Sequence, residues 1–169
     1  MKAGLEAAIT AGDGAAGAHA IHELWMRGEL AVHIEDALAR LWRSAAESIP
    51  DWLPMRHIEW LATAYDVAAR FTARRRGRFN IYLVLLDYRD SRPEPYGVYV
   101  GETRYRPADR FDQHKAGIRA AGSVLRRGLE LLVGPTLHLQ GISRPDAIDI
   151  EERLALALGA EGLFVQGGH

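Results

Sequence analysis

The feature that most constrains this sequence is the run at residues 96–103, which reads Tyr-Gly-Val-Tyr-Val-Gly-Glu-Thr. The β-branched and aromatic side chains of residues 98–100 are typical of a strand, and Gly101 ends the apolar run. Pro107 stands where a helix can begin, and residues 108–121 have helical character. The sequence therefore predicts a strand, a short turn and a helix in direct succession.

Two side chains on this predicted helix have chemistry suited to a phosphate. Arg110 and His114 are four residues apart, so they share one face of a helix. Gly101, at the end of the strand, allows a phosphate or another backbone to approach closely. A cation and an imidazole one turn into the following helix would suit the binding of a phosphodiester.

A second strand is predicted just upstream. Residues 79–86 form a continuous apolar run that contains Tyr82 and is typical of a buried strand. Residues 87–95 contain two prolines and a serine and are predicted to be the loop of a long hairpin. Tyr82 and Tyr99 would both project from this sheet, and the register of the strands decides whether they meet.

These residues resemble the ordered motifs of the GIY-YIG nucleases. The Gly-Ile-Tyr motif of that family corresponds to Asn80-Ile81-Tyr82, and its Tyr-Ile-Gly motif to Tyr99-Val100-Gly101. The arginine and histidine of the helix that follows correspond to Arg110 and His114. The metal-binding glutamate of a later helix is best matched by Glu151.

The resemblance covers about residues 78–169, and it includes two departures from the family pattern. Asn80 replaces a glycine, and the loop between the two tyrosines is longer than is usual in the family. Glu152 is the alternative to Glu151 as the metal ligand. The two glutamates cannot share a helix face, because adjacent residues are about 100° apart around a helix.

The resemblance implies an α+β fold with a small, mainly antiparallel three-stranded sheet flanked by helices. The third strand is predicted at residues 129–133, with 136–139 as the competing choice, and a short terminal strand at 163–165. A helix is predicted to begin near Ser143, with Ser143 or Asp146 as its cap. We expect a nuclease-like domain at residues 76–169 after a helical module at residues 1–75.

The resemblance also implies a role for each matched side chain. Tyr82 would act as the general base or orient the attacking water, and Tyr99 would hydrogen-bond the phosphate or that water. Arg110 would bind the scissile phosphate, and His114 would contact the phosphate or position Tyr82. Glu151 would hold Mg²⁺ or Mn²⁺, which needs few protein ligands. The products would carry a 5′-phosphate and a 3′-hydroxyl.

Four further residues near the second motif are candidates for substrate binding: Gly101, Thr103, Arg104 and Arg106. The substrate implied by the resemblance is a nucleic acid, with DNA favoured. The net charge of −1 is low for a tight nucleic-acid binder. Two alternatives therefore stay open: a catalytically silent binding module with the same fold, or an enzyme that acts on a small substrate in the same pocket.

Residues 1–75 have a helical pattern and lack the predicted strands of the later residues. Residues 1–17 are rich in alanine and glycine and predict a weak helix or a loose arm. Apolar residues then recur at three- and four-residue steps, which predicts an antiparallel helical module at residues 18–75. This module would mediate homodimerisation or bind a partner protein.

Composition excludes several classes of protein. The sequence has no cysteine, which excludes disulfides and thiolate metal sites. No apolar run approaches the roughly 20 residues that cross a bilayer, and the first residues lack a secretory pattern. A cytoplasmic protein without membrane contact is the expectation.

Overall fold

The computed structural model describes residues 2–26, 29–49 and 58–168. Its contacts divide the chain into two compact units, Met1–Tyr65 and Asp66–His169. The division lies before the predicted boundary between residues 75 and 76. Residues 27–28 and 50–57 of the predicted module lie outside the described residues. Among the described residues, no helix combines the length and apolar character needed to cross a membrane.

The first unit is helical. Its helices are α1 (Lys2–Ala11), α2 (Gly14–Met26) and α3 (Ala31–Ala45), followed by a 3₁₀ turn at Ala46–Ser48. The three α-helices pack on one another, and their buried side chains include Leu5, Ile21, Leu24, Ile34, Leu38 and Leu41. The alanine-rich start of the chain is therefore a packed helix instead of a loose arm. A fourth helix, α4, spans Leu61–Ala68.

The second unit contains a four-stranded mixed sheet. Its strands are β1 (Asn80–Asp87), β2 (Tyr96–Thr103), β3 (Gly128–Leu132) and β4 (Val165–Gly167), in the spatial order β3-β1-β2-β4. β1 pairs antiparallel with both β2 and β3, which confirms the predicted hairpin. The α+β class is thus confirmed, whereas the prediction of a three-stranded sheet was wrong.

The fourth strand is the source of that error. β4 pairs parallel with residues 98–100 of β2, because the chain crosses back along helix α7 before it reaches the sheet again. A three-residue strand has no usable periodicity, so its sequence does not reveal its pairing partner.

The helices of this unit are α5 (Pro107–Lys115), α6 (Gly122–Arg127) and α7 (Arg144–Ala160), with a 3₁₀ turn at Gly134–Leu139. α5 is shorter than predicted, since Gly117 follows it with a left-handed φ of 79°. The competing third strand at 136–139 is the 3₁₀ turn. Ser143 caps α7 by accepting a hydrogen bond of 3.2 Å from the backbone N–H of Asp146.

The register of the central hairpin places the two tyrosines on one face. Tyr82 lies opposite Gly101, and Val84 lies opposite Tyr99. Because side chains alternate along a strand, Tyr82 and Tyr99 project to the same side. There they join a buried cluster with Val124 of α6 and Phe111 of α5. The functional candidates of β1 and β2 therefore face helices α5 and α6.

Gly101 is required by this register. A Cβ atom added at Gly101 would lie 2.7 Å from Cζ and Oη of Tyr82 and from Cε1 of Tyr99. We expect Gly101→Ala to lower the free energy of unfolding by about 1–3 kcal/mol, as overpacking does. Urea denaturation measures this. Gly159→Ala on α7 is the control, because its new methyl would only just reach Val165; equal losses in both variants would contradict the packing role.

Candidate functional site

Three rings from three elements form the centre of the candidate site. Tyr82 of β1, Tyr99 of β2 and His114 of α5 pack with their ring centroids 5.8–6.3 Å apart. Tyr82 is 1% exposed and His114 is fully buried, whereas Tyr99 is half-buried. Two strand tyrosines and a helix histidine that lie far apart in sequence are thus brought together.

The hydrogen bonds of His114 define its tautomer. The backbone N–H of Ala121 donates to Nδ1 over 2.9 Å, so Nδ1 has no proton. In the neutral ring Nε2 then has the proton, and it donates to Oη of Tyr82 over 2.9 Å. Both ring nitrogens are therefore used, and His114 holds the phenol of Tyr82 in place. Of the two roles considered for His114, the geometry favours positioning Tyr82 over contact with a phosphate.

Burial keeps the imidazole neutral. Burial and the nearby charge of Arg110 together lower the pKa of His114 from 6.5 to about 4, with burial the larger cause. A proton on Nδ1 would also remove the bond from Ala121. His114 is therefore a neutral donor across the physiological pH range.

A pH-dependent stability follows from this pKa. A histidine with a lowered pKa binds its proton less readily in the folded state, so its stabilising contribution is complete above pH 6.5 and falls as the pH drops toward 4. We expect the stability difference between the wild type and His114→Gln to shrink over that range. Urea unfolding at a series of pH values measures it. A constant difference would contradict the assignment.

The hydroxyl of Tyr82 is hydrogen-bonded to His114, and the ring of Tyr99 packs beside both. Burial raises the pKa of Tyr82, and the neighbouring phenol of Tyr99 raises it further. Burial also raises the pKa of Tyr99, as does the charge of Glu151. Both phenols therefore lie in a desolvated cluster.

Tyr99 is the member of this ring cluster that reaches a cavity. A cavity of about 570 Å³ is lined by Tyr99, by Ser123 and Arg126 of α6, and by Gln166 of β4. Because Tyr82 is nearly fully buried, a substrate or an attacking water would meet Tyr99 first. The accessible phenol of the cluster is therefore that of the second motif.

Arg110 lies beside the ring cluster and also braces the turn after α5. Its Nη2 donates to the carbonyl of Arg119 over 2.8 Å, and its Nη1 donates to Oε1 of Gln113 and the carbonyl of Ile118. Its positive charge acts to lower the pKa of both Tyr82 and Tyr99. Arg110 thus supplies a fixed positive charge at the site while part of its guanidinium is occupied by the turn.

Glu151 of α7 completes the set. Burial and the neighbouring charge of Glu102 together raise the pKa of Glu151 to about 7, while the nearby backbone N–H groups of Glu102 and Gly168 act in the opposite direction. The neighbouring Glu152 is exposed on the surface of the helix. The helix therefore presents Glu151, and not Glu152, to the site.

Glu102 is a second carboxylate that the sequence reasoning missed. Its Oε2 is buried and has no hydrogen-bond partner, and its charge repels that of Glu151. A divalent cation between them would satisfy the unpaired oxygen and relieve the repulsion. The described residues contain no cluster of three or more metal-ligating side chains.

We compared the chain with family models, curated proteins and solved structures. None of them matches. The resemblance to the GIY-YIG nucleases therefore stays a prediction from the motifs. The case for a function rests on the geometry of the site itself.

The four secondary candidates have separate positions. Gly101 makes room for the two phenols, and Thr103, which is buried, accepts a hydrogen bond of 3.1 Å from the backbone of Tyr105. Arg104 lines a cavity of about 790 Å³ together with Arg110. Arg106 is highly exposed and paired with Asp109, and it does not line that cavity.

Proposed function

We propose that this protein hydrolyses a nucleic-acid phosphodiester, with DNA as the favoured substrate, at the site formed by Tyr82, Tyr99, Arg110, His114 and Glu151. One observation supports the proposal above all others. Two phenols and a neutral imidazole meet where Tyr99 lines a cavity. Arg110 and the desolvated carboxylate of Glu151 lie close enough for their charges to act on both phenols. Packing alone would not require a phenol, a cation and a carboxylate to interact at the same place.

The carboxylates are suited to a hard divalent cation. Glu151, with Glu102 beside it, would hold Mg²⁺ or Mn²⁺, and the bound ion would stabilise negative charge that develops on the phosphoryl oxygens. The pKa of Glu151 is raised mainly by burial and also by the charge of Glu102, and a bound cation would offset both effects. Both carboxylates offer the oxygen ligands that Mg²⁺ and Mn²⁺ prefer.

We assign the phenols different roles. Tyr99 contacts the attacking water or the phosphate, because it lines the cavity. Tyr82 packs against the ring of Tyr99. His114 in turn fixes Tyr82. This assignment shifts the role of general base from the tyrosine of the first motif to that of the second.

Arg110 supplies the positive charge. A guanidinium stays protonated at all relevant pH values and matches the geometry of phosphoryl oxygens. Its bonds to the carbonyls of Ile118 and Arg119 hold it in one orientation. It would therefore act as a preorganised electrostatic contact for the substrate phosphate.

Incubation of the full chain with labelled oligonucleotides and with bis(p-nitrophenyl) phosphate, in Mg²⁺ or in EDTA, tests the proposal. We expect Mg²⁺-dependent cleavage of DNA that leaves 5′-phosphate and 3′-hydroxyl ends. Binding without cleavage would indicate the catalytically silent module. Cleavage of the small diester alone, with no salt-dependent DNA binding, would indicate a small-molecule enzyme. A role of residues 18–75 in dimerisation or partner binding stays a prediction.

A further inference from the structure

We propose, resting on the function above, that the cavity beside Arg110 binds an unpaired nucleotide of single-stranded DNA next to the scissile phosphate, with Tyr105 as its stacking surface. This cavity has a volume of about 790 Å³ and is separate from the one that Tyr99 lines. Its size falls within the range of small-ligand sites. The candidate catalytic residues alone do not distinguish single-stranded DNA from a duplex.

The charge of the cavity favours a phosphate backbone. Its walls include Arg104, Arg110, Arg119 and Arg144, against a single acidic side chain, Glu102. Within the part of the chain that the structure describes, the side chains of Arg119 and Arg144 have no hydrogen-bond or ion-pair partner. Two arginines without partners that line a concave surface are available to neutralise phosphates. The local charge is thus strongly positive even though the chain as a whole is slightly acidic.

The aromatic surface in this cavity is Tyr105. Its side chain is 41% exposed, and the guanidinium of Arg104 lies 5.2 Å from its ring centroid. The hydrogen bond from Arg104 lowers the pKa of Tyr105, and the charges of Arg119 and Arg110 contribute. The ring therefore lies among the same cations that line the cavity. An exposed ring surrounded by arginines is the combination that binds the bases of single strands.

Hydrogen bonds hold the backbone of Tyr105 at both its N–H and its carbonyl. Its N–H donates to Oγ1 of Thr103, and its carbonyl accepts a hydrogen bond of 2.8 Å from Nδ2 of Asn80. The Oδ1 of Asn80 accepts a bond from the N–H of Gly141, so this side chain connects three segments. Asn80 is one of the departures from the family motif, and the glycine it replaces would lack these bonds. The ring is thus presented on a preorganised loop.

One wall residue of this cavity has a strained backbone conformation. Arg119 has a φ of 45°, which is in the left-handed region that non-glycine residues rarely adopt. The bond from Arg110 to its carbonyl holds this conformation. Strain at a non-glycine residue in a cavity wall is more common at binding sites than elsewhere. Arg110 thereby connects the proposed nucleotide site to the catalytic site.

Unpaired DNA is favoured over a duplex for a geometric reason. In a duplex the faces of the bases are stacked on one another and are not available to a protein ring. A base can stack on Tyr105 only where it has left the stack, as in an overhang, a flap or a single strand. The arginines would contact the phosphates on either side of it.

The test is equilibrium binding of the full chain, measured in EDTA so that no hydrolysis occurs. Fluorescein-labelled oligothymidylate is compared with a duplex of equal length by fluorescence anisotropy over a salt series. We expect tighter binding of the single strand. Tyr105→Ala should weaken it about tenfold or more, whereas Tyr105→Phe should retain it. Arg144→Gln should reduce the log–log salt slope by about 0.7.

Arg153→Gln is the matched control, because Arg153 lies on the same helix as Arg144 but pairs with Asp149 outside the cavity. Equal affinity of Tyr105→Ala and wild type, or tighter binding of the duplex, would overturn the inference. An unchanged salt slope in Arg144→Gln would do so as well. Since binding is measured without a metal, intact Tyr105-dependent binding in a protein that never cleaves DNA would count against the proposed function alone.

Discussion

Replacing Glu151 with glutamine is expected to abolish most of the metal-dependent cleavage while making the metal-free protein more stable. The variant loses a charged oxygen ligand, so we expect the single-turnover cleavage rate in Mg²⁺ to fall about 100-fold or more, comparable to removal of a major charge-stabilising group. The neutral amide also removes the burial penalty and the repulsion from Glu102 that raise the pKa of Glu151 to about 7.

Glu151→Gln is expected to lower the cleavage rate and raise the stability, and this combination makes the prediction specific. The ionised carboxylate is disfavoured by the fold, so its penalty is present above pH 7 and disappears as the pH falls toward 4.5. Urea unfolding at pH 8 in EDTA should therefore show Glu151→Gln to be more stable than wild type by about 1 kcal/mol or more. Added Mg²⁺ should stabilise wild type but not the variant. Glu152→Gln, on the exposed face, is the control and should change neither property.

Removing the hydroxyl of Tyr99 is expected to reduce cleavage more than removing that of Tyr82. Tyr99 lines the cavity, so Tyr99→Phe removes the group that meets the water or phosphate. We expect a loss of about 10²–10⁴-fold in the single-turnover rate, as for loss of a proton-transfer group. Tyr82→Phe should retain more activity, because it removes a positioning hydroxyl.

Stability should rank the two variants in the reverse order. Tyr82→Phe leaves the Nε2–H of His114 buried without an acceptor, at a cost of about 1–3 kcal/mol. Tyr99 is half-buried, so we expect Tyr99→Phe to lower the free energy of unfolding by less than Tyr82→Phe does. A larger activity loss in Tyr82→Phe at equal protein concentration and full folding would return the role of general base to Tyr82.

The sequence was most informative where apolar pattern and turn chemistry agreed. The hairpin of β1 and β2 follows from two β-rich runs, and the cap of α7 follows from Ser143. The parallel pairing of β4 did not follow, since it depends on where α7 returns the chain. The length of α5 was overestimated because Gly117 was not recognised as its end.

The candidate site was partly predictable, because several of its residues lie in segments with a clear strand or helix pattern. The motif resemblance named Tyr82, Tyr99, His114 and Glu151, and the strand register explains why the first two meet. The bond from Ala121 that fixes the tautomer of His114 could not be predicted, because it depends on a turn in three dimensions. Glu102 could have been noticed, since it is an acidic residue on the strand face that contains the buried side chains of Val98 and Val100.

The most direct test of the whole account is a crystal structure with Mn²⁺ and a single-stranded oligonucleotide that carries a non-cleavable phosphorothioate. The account predicts an anomalous peak at the carboxylate of Glu151, with Glu102 beside it and the phosphorothioate within reach of Tyr99 and Arg110. Manganese bound elsewhere, with no ion at the carboxylate of Glu151, would contradict it.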